Sequence, residues 1–402
     1  MKKDLVLMGA FDRYNYGDLL FPIFIQEYIE KYRPDVKDYY SQIVPVALEE
    51  KDLRNVGGLS TKSWKKLDVE VSKDLVVVGG DVLGASIEQM YMDSLNSFYS
   101  LFVARAFRKL TSNKYIVKKS RSKFGMQNAF PYVPIASQNG IDKVVYNAVS
   151  GSGFIRDDFQ EETKNTLLKR LSDSHFISIR DEKTLANLRN NHIDAVLAPD
   201  SACIMAELYP LNQLERKVSN EKIRELKEKK YIVFQFGYWH IRQRIDDVIE
   251  QIEEIATQTE DEIVLLPVGF ATNHDDLIAL EKISQKLKIK HTLFNDLTIW
   301  DIMYVIGNAG FFFGTSLHGN ITAMAYGVPC VGVCKRVVKL DKYLSTWGIA
   351  PFNKNIEIED IAAFYFSNKS FDRKDLKKNA DRLIKLVHKN YDVLLNRLIS
   401  NS

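Results

Sequence analysis

His318 sits where a side chain can do the most chemistry. It lies in Gly314-Thr315-Ser316-Leu317-His318-Gly319-Asn320, after the apolar run Ala309–Phe313 and before Ile321–Ala325, with Gly327-Val328-Pro329 closing the pattern. A buried strand, a short turn of hydroxyls and glycine, then a helix ended by Gly and Pro is the expected reading. Such a junction is the carboxyl end of a strand and the amino end of a helix. Open α/β sheets bind ligands there, and free backbone N–H groups hold anions. The pattern therefore predicts an anion site with a histidine able to exchange a proton near neutral pH. Lys335, Arg336, Lys339 and Lys342 follow closely, so an anionic small substrate is expected.

Three other segments place polar or Gly-rich residues directly after a strand-like run. The first is Gly9 to Asp18, where Asn15 and Asp18 can hydrogen-bond sugar hydroxyls and Gly17 permits a sharp turn; a plain turn with Asp18 as helix cap is the competing reading. The second is Gly79-Gly80-Asp81-Val82-Leu83-Gly84, whose glycines allow close backbone approach. It lacks the full dinucleotide-binding spacing. The third is Ile177-Ser178-Ile179-Arg180-Asp181-Glu182, where Arg180 at the strand end suits bidentate binding of carboxylate or phosphate. A surface cluster with Asp181 and Glu182 is its alternative.

Strand-like and helical patterns alternate along the chain. Strands are expected at Asp4–Met8, Asp74–Val78, Lys143–Ala148, His175–Ile179 and Ala195–Ala198, then at Tyr231–Phe236, Glu262–Pro267, Lys290–Phe294, Gly310–Phe313 and Cys330–Val333. Helices are expected at Asp18–Tyr32, Glu182–Asn190, Asp246–Thr257, Asp275–Leu287 and Thr298–Ile306. Alternating βα units with apolar strands predict parallel sheets covered on both faces. At 402 residues the chain exceeds one ordinary core. The polar stretch Ala206–Lys230 interrupts the series. We expect an N-terminal Rossmann-like domain at 1–210, a linker at 211–230, a second such domain at 231–358, and C-terminal helices at 359–402.

With 46% hydrophobic and 27% charged residues and a net charge of +3, the composition is that of a soluble globular protein and not of a dedicated nucleic-acid binder. No apolar run reaches the roughly 20 residues needed to span a bilayer. The first residues read as a strand and not as a signal peptide. Cys203, Cys330 and Cys334 give no disulfide framework. His240, His274 and His291 fall in separate elements, so no metal and no cofactor is expected. One local anomaly is the segment 94–141, which holds no acidic residue but carries Arg105, Arg108, Lys109, Lys114, Lys118, Lys119, Arg121 and Lys123. It reads either as a solvated basic surface or as a contact, through 105–123, for anionic lipid headgroups or a diphosphate-linked substrate. The expected location is the cytoplasm, at the inner face of the membrane.

Five pieces together resemble the polysaccharide pyruvyl transferase family: Asn15-Tyr16-Gly17-Asp18, Val77-Val78-Gly79-Gly80, Ile177–Glu182, Ala198-Pro199-Asp200-Ser201-Ala202, and Leu317-His318-Gly319 through Gly327-Val328-Pro329. They occur in the family's order across about residues 4–350. The resemblance implies a glycosyltransferase-B-like fold, two Rossmann-like domains facing a cleft. It implies phosphoenolpyruvate as donor and, as acceptor, a sugar of a capsule, exopolysaccharide or lipid-diphosphate-linked precursor. It places His318 and Arg180 in the catalytic centre. The donor side would comprise Arg180, Thr315, Ser316, Leu317, His318, Gly319 and Asn320, with Lys339 or its rival Lys335. The acceptor side would comprise Asn15, Asp18, Gly79, Gly80 and Asp81, with Asp200 either positioning hydroxyls or serving as a structural cap. Many members carry arginine where this chain has Ser316, so another cation must complete the pocket. Two other classes fit the same architecture: a glycosyltransferase using a nucleotide sugar, and a non-catalytic glycan-binding protein.

Overall fold

A computed structural model describes residues 2–95, 114–136, 139–151, 161–270 and 276–400. Its framework is two sheets. The first contains β1 (Asp4–Met8), β2 (Ile43–Ala47), β3 (Lys51–Asp52), β4 (Ser60–Ser63), β5 (Lys73–Val77), β6 (Gly80–Asp81), β7 (Ile141–Ser150), β8 (Phe176–Ile179) and β9 (Val196–Leu197). The second contains β10 (Tyr231–Gln235), β11 (Glu262–Leu265), β12 (His291–Leu293), β13 (Phe311–Gly314), β14 (Cys330–Val333) and β15 (Asn355–Ile356). The second runs β12-β11-β10-β13-β14-β15 with every pair parallel. In the first, β4-β2-β1-β5-β7-β8-β9 repeats that order, and β3 adds an antiparallel edge. Both are doubly wound sheets whose order reverses beside the first strand, between β1 and β5 and between β10 and β13.

Strand alternation explains the layers. On β1, Leu5 and Leu7 belong to one apolar cluster, while Val6 and Met8 belong to another. Successive side chains point to opposite faces, so each face of the first sheet meets its own core. The cluster holding Leu5 and Leu7 continues without a break into the second sheet, through Val233, Phe313 and Ile321. The α/β class and parallel sheets follow the sequence expectation.

Local differences have physical causes. Helix Tyr16–Tyr32 starts two residues before the expected Asp18. Asn15 stands at its N-cap position, and Asp18 lies in the first turn. Asp18 is therefore not the cap; it accepts a hydrogen bond from Asn15 Nδ2 at 2.7 Å. β2 and β4 escaped prediction because Pro45 interrupts the first and Ser60–Ser63 is polar. The stretch 211–230 is folded as short helices, including Leu211–Leu214 and Glu221–Glu225, with Leu214, Val218, Ile223 and Leu226 buried in the shared cluster. In the basic segment, Arg105, Arg108 and Lys109 lie outside the described residues, as does His274. Helix Lys114–Phe124 exposes Lys118, Lys119 and Lys123 and buries Ile116 and Phe124. Among the described residues, no helix is long and apolar enough to cross a membrane.

The 27-residue helix Arg373–Ile399 is held at both ends. Near its start Arg373 Nη2 donates to the Gly310 carbonyl at 2.7 Å, beside β13. At its end the buried Lys143 of β7 donates to the carbonyls of Arg397, Leu398 and Ser400 at 3.1, 2.9 and 2.6 Å. These are the carbonyls a helix leaves unpaired, and a cation is favoured there. Replacing Lys143 by Met should keep the stem volume and remove the donors. We expect a loss of about 1.5–3 kcal/mol in urea unfolding and faster amide exchange in the last helical turn; unchanged exchange there would show that the lysine is not the clamp.

Candidate active site

Each sheet brings its switch-point loops to one cleft of about 640 Å³. From the first sheet come Asn15, Gly17 and Asp18 after β1, Gly80 and Asp81 after β5, and Arg180 after β8. From the second come Gln235, Gly237 and His240 after β10, and Thr315, Ser316, Leu317 and His318 after β13. Lys339 reaches in from helix Val338–Trp347. Asn15 and Gly269 form an isolated antiparallel bridge across the divide, and the Tyr14 and Phe270 rings stack 4.7 Å apart beside it.

At the base of the cleft lies Asp200, which is 0% exposed. Its Oδ1 accepts from the Ala202 N–H at 2.9 Å, capping the short turn Ser201–Ile204. Its Oδ2 accepts from Arg180 Nη1 at 2.6 Å and lies 3.5 Å from His318 Nε2. One carboxylate oxygen thus faces a cation of the first half and the histidine of the second. Burial alone would raise this carboxyl, but the His318 ring and the Arg180 guanidinium outweigh it and hold it at about 2. The expected use of Asp200 to position acceptor hydroxyls does not fit this burial. It supports the two residues above it.

His318 is set by what surrounds it. Its Nε2 is buried and turned to Asp200. Phe21 packs edge-on at 5.4 Å between ring centres. Its Nδ1 faces Gly17, where an added Cβ would sit 1.9 Å away. Gly17 is needed for that approach and not for an unusual backbone angle. Arg180 is placed as tightly. Its N–H donates to the Val149 carbonyl at 3.1 Å, and its carbonyl accepts from Trp347 Nε1 of the other half at 2.9 Å. Asp200 takes one guanidinium donor and leaves the others to a residue that lines the cleft.

The loop before His318 corrects part of the sequence reading. Ser316 is the helix N-cap, its Oγ accepting from the Gly319 N–H at 3.2 Å, and the Asn320 N–H is spent on the Ser316 carbonyl. Gly319 faces Phe312, and the Asn320 side chain is buried on Gly314 and Ser316 carbonyls. Neither lines the cleft, so neither N–H is free for a donor. Thr315 does line it, while its Oγ1 accepts from the Gly237 N–H at 2.9 Å. Lys335 lies outside the lining, 62% exposed and 4.0 Å from Glu357. Lys339 is the cation that enters. Its side chain reaches solvent inside the cleft, yet protein encloses it; that enclosure lowers its affinity for a proton, with Asp81 opposing and Arg180 adding to the effect. Gly79 is also outside the lining. At φ 139° it makes a turn that only glycine adopts readily and packs on Phe21.

Among the lining residues the sequence reading missed are Arg13, Asp276 and His240. Arg13 lies between Asp12 at 3.8 Å and Asp93 at 3.9 Å. Asp276 is buried, its Oδ2 accepting from Gln235 Nε2 and from the N–H groups of Val268 and Gly269. His240 lies in the short helix Tyr238–Ile241 that comes after β10, and its proton affinity is lowered by burial and by Lys339 and Arg336. The rule that flagged His318, polar residues just past a strand, would have found Arg13 and His240. Asp276 has no such signal.

A family model described as polysaccharide pyruvyl transferase matches residues 15–333. The UDP-GlcNAc 2-epimerase from Methanocaldococcus jannaschii is similar in structure, with a TM-score of 0.51 at 13% identity over 97% of this chain and 100% of that one. The Neisseria meningitidis UDP-GlcNAc 2-epimerase, solved with UDP-GlcNAc bound, gives 0.50 at 11% identity over 100% of both chains. A trehalose-6-phosphate synthase gives 0.50 at 11% identity over 99% and 98%. At these identities the likeness is one of fold, the glycosyltransferase-B arrangement. The chain matches none of the curated proteins.

Replacing Asp200 by Asn keeps the cap on Ala202 and strands a buried guanidinium. We expect a loss of about 3–5 kcal/mol in denaturant unfolding at neutral pH; a loss under about 1 kcal/mol would remove the pair as an anchor. The folded carboxyl, at about 2, lies below the unfolded value of about 3.9. Its stabilisation is therefore complete above about pH 4 and is lost as pH falls through about 2, so the gap between wild type and variant should narrow across that window.

Proposed function

The chain belongs to the polysaccharide pyruvyl transferase family, and we propose that it moves pyruvate from phosphoenolpyruvate onto two hydroxyls of one sugar, forming a cyclic ketal and releasing phosphate. The sugar belongs to a surface polysaccharide or its lipid-diphosphate-linked precursor. The observation that carries this reading is the pairing of Arg180 and His318 over one buried carboxylate, with Lys339 lining the same cleft.

Phosphoenolpyruvate brings a carboxylate and a phosphate, so its site needs cations. Arg180 supplies a planar fork and Lys339 a point charge. Lys339 takes the place of the arginine absent at Ser316. One sugar hydroxyl oxygen bonds to C2 of the enol ester while a proton goes to C3, which becomes a methyl group. The C2–O bond to phosphate then breaks, and the second hydroxyl oxygen bonds to C2. The two hydroxyl protons end on C3 and on the departing phosphate. His318 is the proton-transfer group, acting through Nδ1, because Nε2 is buried and turned to Asp200 at 3.5 Å. Asp200 orients the ring. Asn15, Asp18 and Asp81 line the same cleft from the first sheet and hold the acceptor.

Incubation with phosphoenolpyruvate and a panel of galactose, glucose and N-acetylmannosamine glycosides, free and diphosphate-linked, should yield a ketal by mass spectrometry and one phosphate per ketal. His318→Ala should abolish the product while the variant remains folded by circular dichroism. Thermal stabilisation by UDP in place of phosphoenolpyruvate, with no ketal on any acceptor, would overturn the reading. Gly17→Ala should push the imidazole aside while suiting a helix. We expect turnover to fall on the order of a hundredfold with stability retained; full turnover would mean that the ring position is not critical.

A further inference from the structure

We propose that the cavity of about 250 Å³ beside Arg180 is a separate phosphate compartment, and that Lys183 and Lys342 give it its affinity. It shares Asp81, Arg180, Leu317 and Lys339 with the lining of the main cleft, and Ser150, Asp181, Lys183, Thr184, Val338, Lys342 and Tyr343 line it alone.

Charge separates the two spaces. The cavity is lined by four cations, Arg180, Lys183, Lys339 and Lys342, against the two carboxylates Asp81 and Asp181. Asp181 is already committed. Its Oδ1 accepts from the Thr184 N–H at 2.8 Å, and its Oδ2 accepts from the hydroxyls of Ser150 at 2.8 Å and Thr184 at 2.9 Å. None of the three lysines makes an ion pair among the described residues. In the main cleft the balance reverses, with Arg13, Arg180 and Lys339 facing Asp18, Asp81, Asp93 and Asp276. A dianion is favoured in the small space and a neutral, hydroxyl-rich molecule in the large one.

The lysines come from opposite halves, Lys183 on helix Glu182–Asn190 and Lys342 on helix Val338–Trp347. The latter helix begins without a side-chain cap, so its positive end adds to the field at Val338 and Lys339, both on the cavity wall. A phosphate held here would touch both halves and lie against the wall where Arg180 meets the main cleft. The assignment of that phosphate to the donor rests on the function proposed above; phosphate binding itself does not.

The test is calorimetric titration of inorganic phosphate and of phosphoenolpyruvate into wild type, Lys183→Gln, Lys342→Gln and the double variant, with the exposed Lys374→Gln as control. Each single change should weaken phosphate about tenfold and the pair more, while the control stays at wild type. Phosphoenolpyruvate should compete with phosphate, and a short-chain prenyl diphosphate sugar should not. An unchanged dissociation constant in the double variant, no phosphate binding by wild type, or competition by the diphosphate sugar alone would overturn the compartment. Ketal formation with a wild-type donor KM in the double variant would sink the compartment and leave the function standing. Lysine-dependent phosphate binding without any ketal would do the reverse.

Discussion

The buried carboxylate of Asp200 is the constraint on which the site depends. A charge at 0% exposure is tolerated only when it is paired and hydrogen-bonded. Here the partners come from both halves: Arg180 past β8, and His318 past β13. Tyr343 adds a third tie, its hydroxyl accepting from the Asp200 N–H at 3.3 Å. Satisfying one carboxylate therefore fixes the relative position of two sheets, and the same bonds aim the guanidinium and the imidazole. Stability and site geometry are here the same set of contacts.

Topology explains why that carboxylate lies where a substrate can be reached. Each sheet reverses its strand order beside its first strand, and the crevice this leaves opens at the carboxyl ends. The two crevices face each other. Loops after β1 and β5 meet loops after β10 and β13, so eight or more polar side chains converge from short connections on rigid strands. The sugar enzymes of similar fold share this arrangement at 11–13% identity, which shows how little of the sequence the arrangement requires. The chemistry lies in the loops.

Much of this was legible in the sequence, for a definite reason. Buried parallel strands are continuous apolar runs, and functional side chains sit just beyond them. Both signals are local, and both flagged Arg180 and His318. What stayed hidden was direction. Gly319 and Asn320 are one and two residues from His318, yet a helix rotates successive side chains by about 100°, which turned them into the core on Phe312 and Gly314. Ser316, read as a ligand, lines the cleft and is also the helix N-cap. Lys335 and Lys339 could not be separated by spacing, because the turn before helix Val338–Trp347 decides which one enters. For Asp200 the cap was legible and the ion pair was not. Both take the same residue type, and here its two oxygens serve one each.

The long C-terminal helix carries a mechanical implication. It is pinned to the second sheet near Gly310 and to the first through Lys143, and 27 residues span about 40 Å. A rod fixed to both plates at separate points resists pulling them apart and leaves mainly rotation about its own axis.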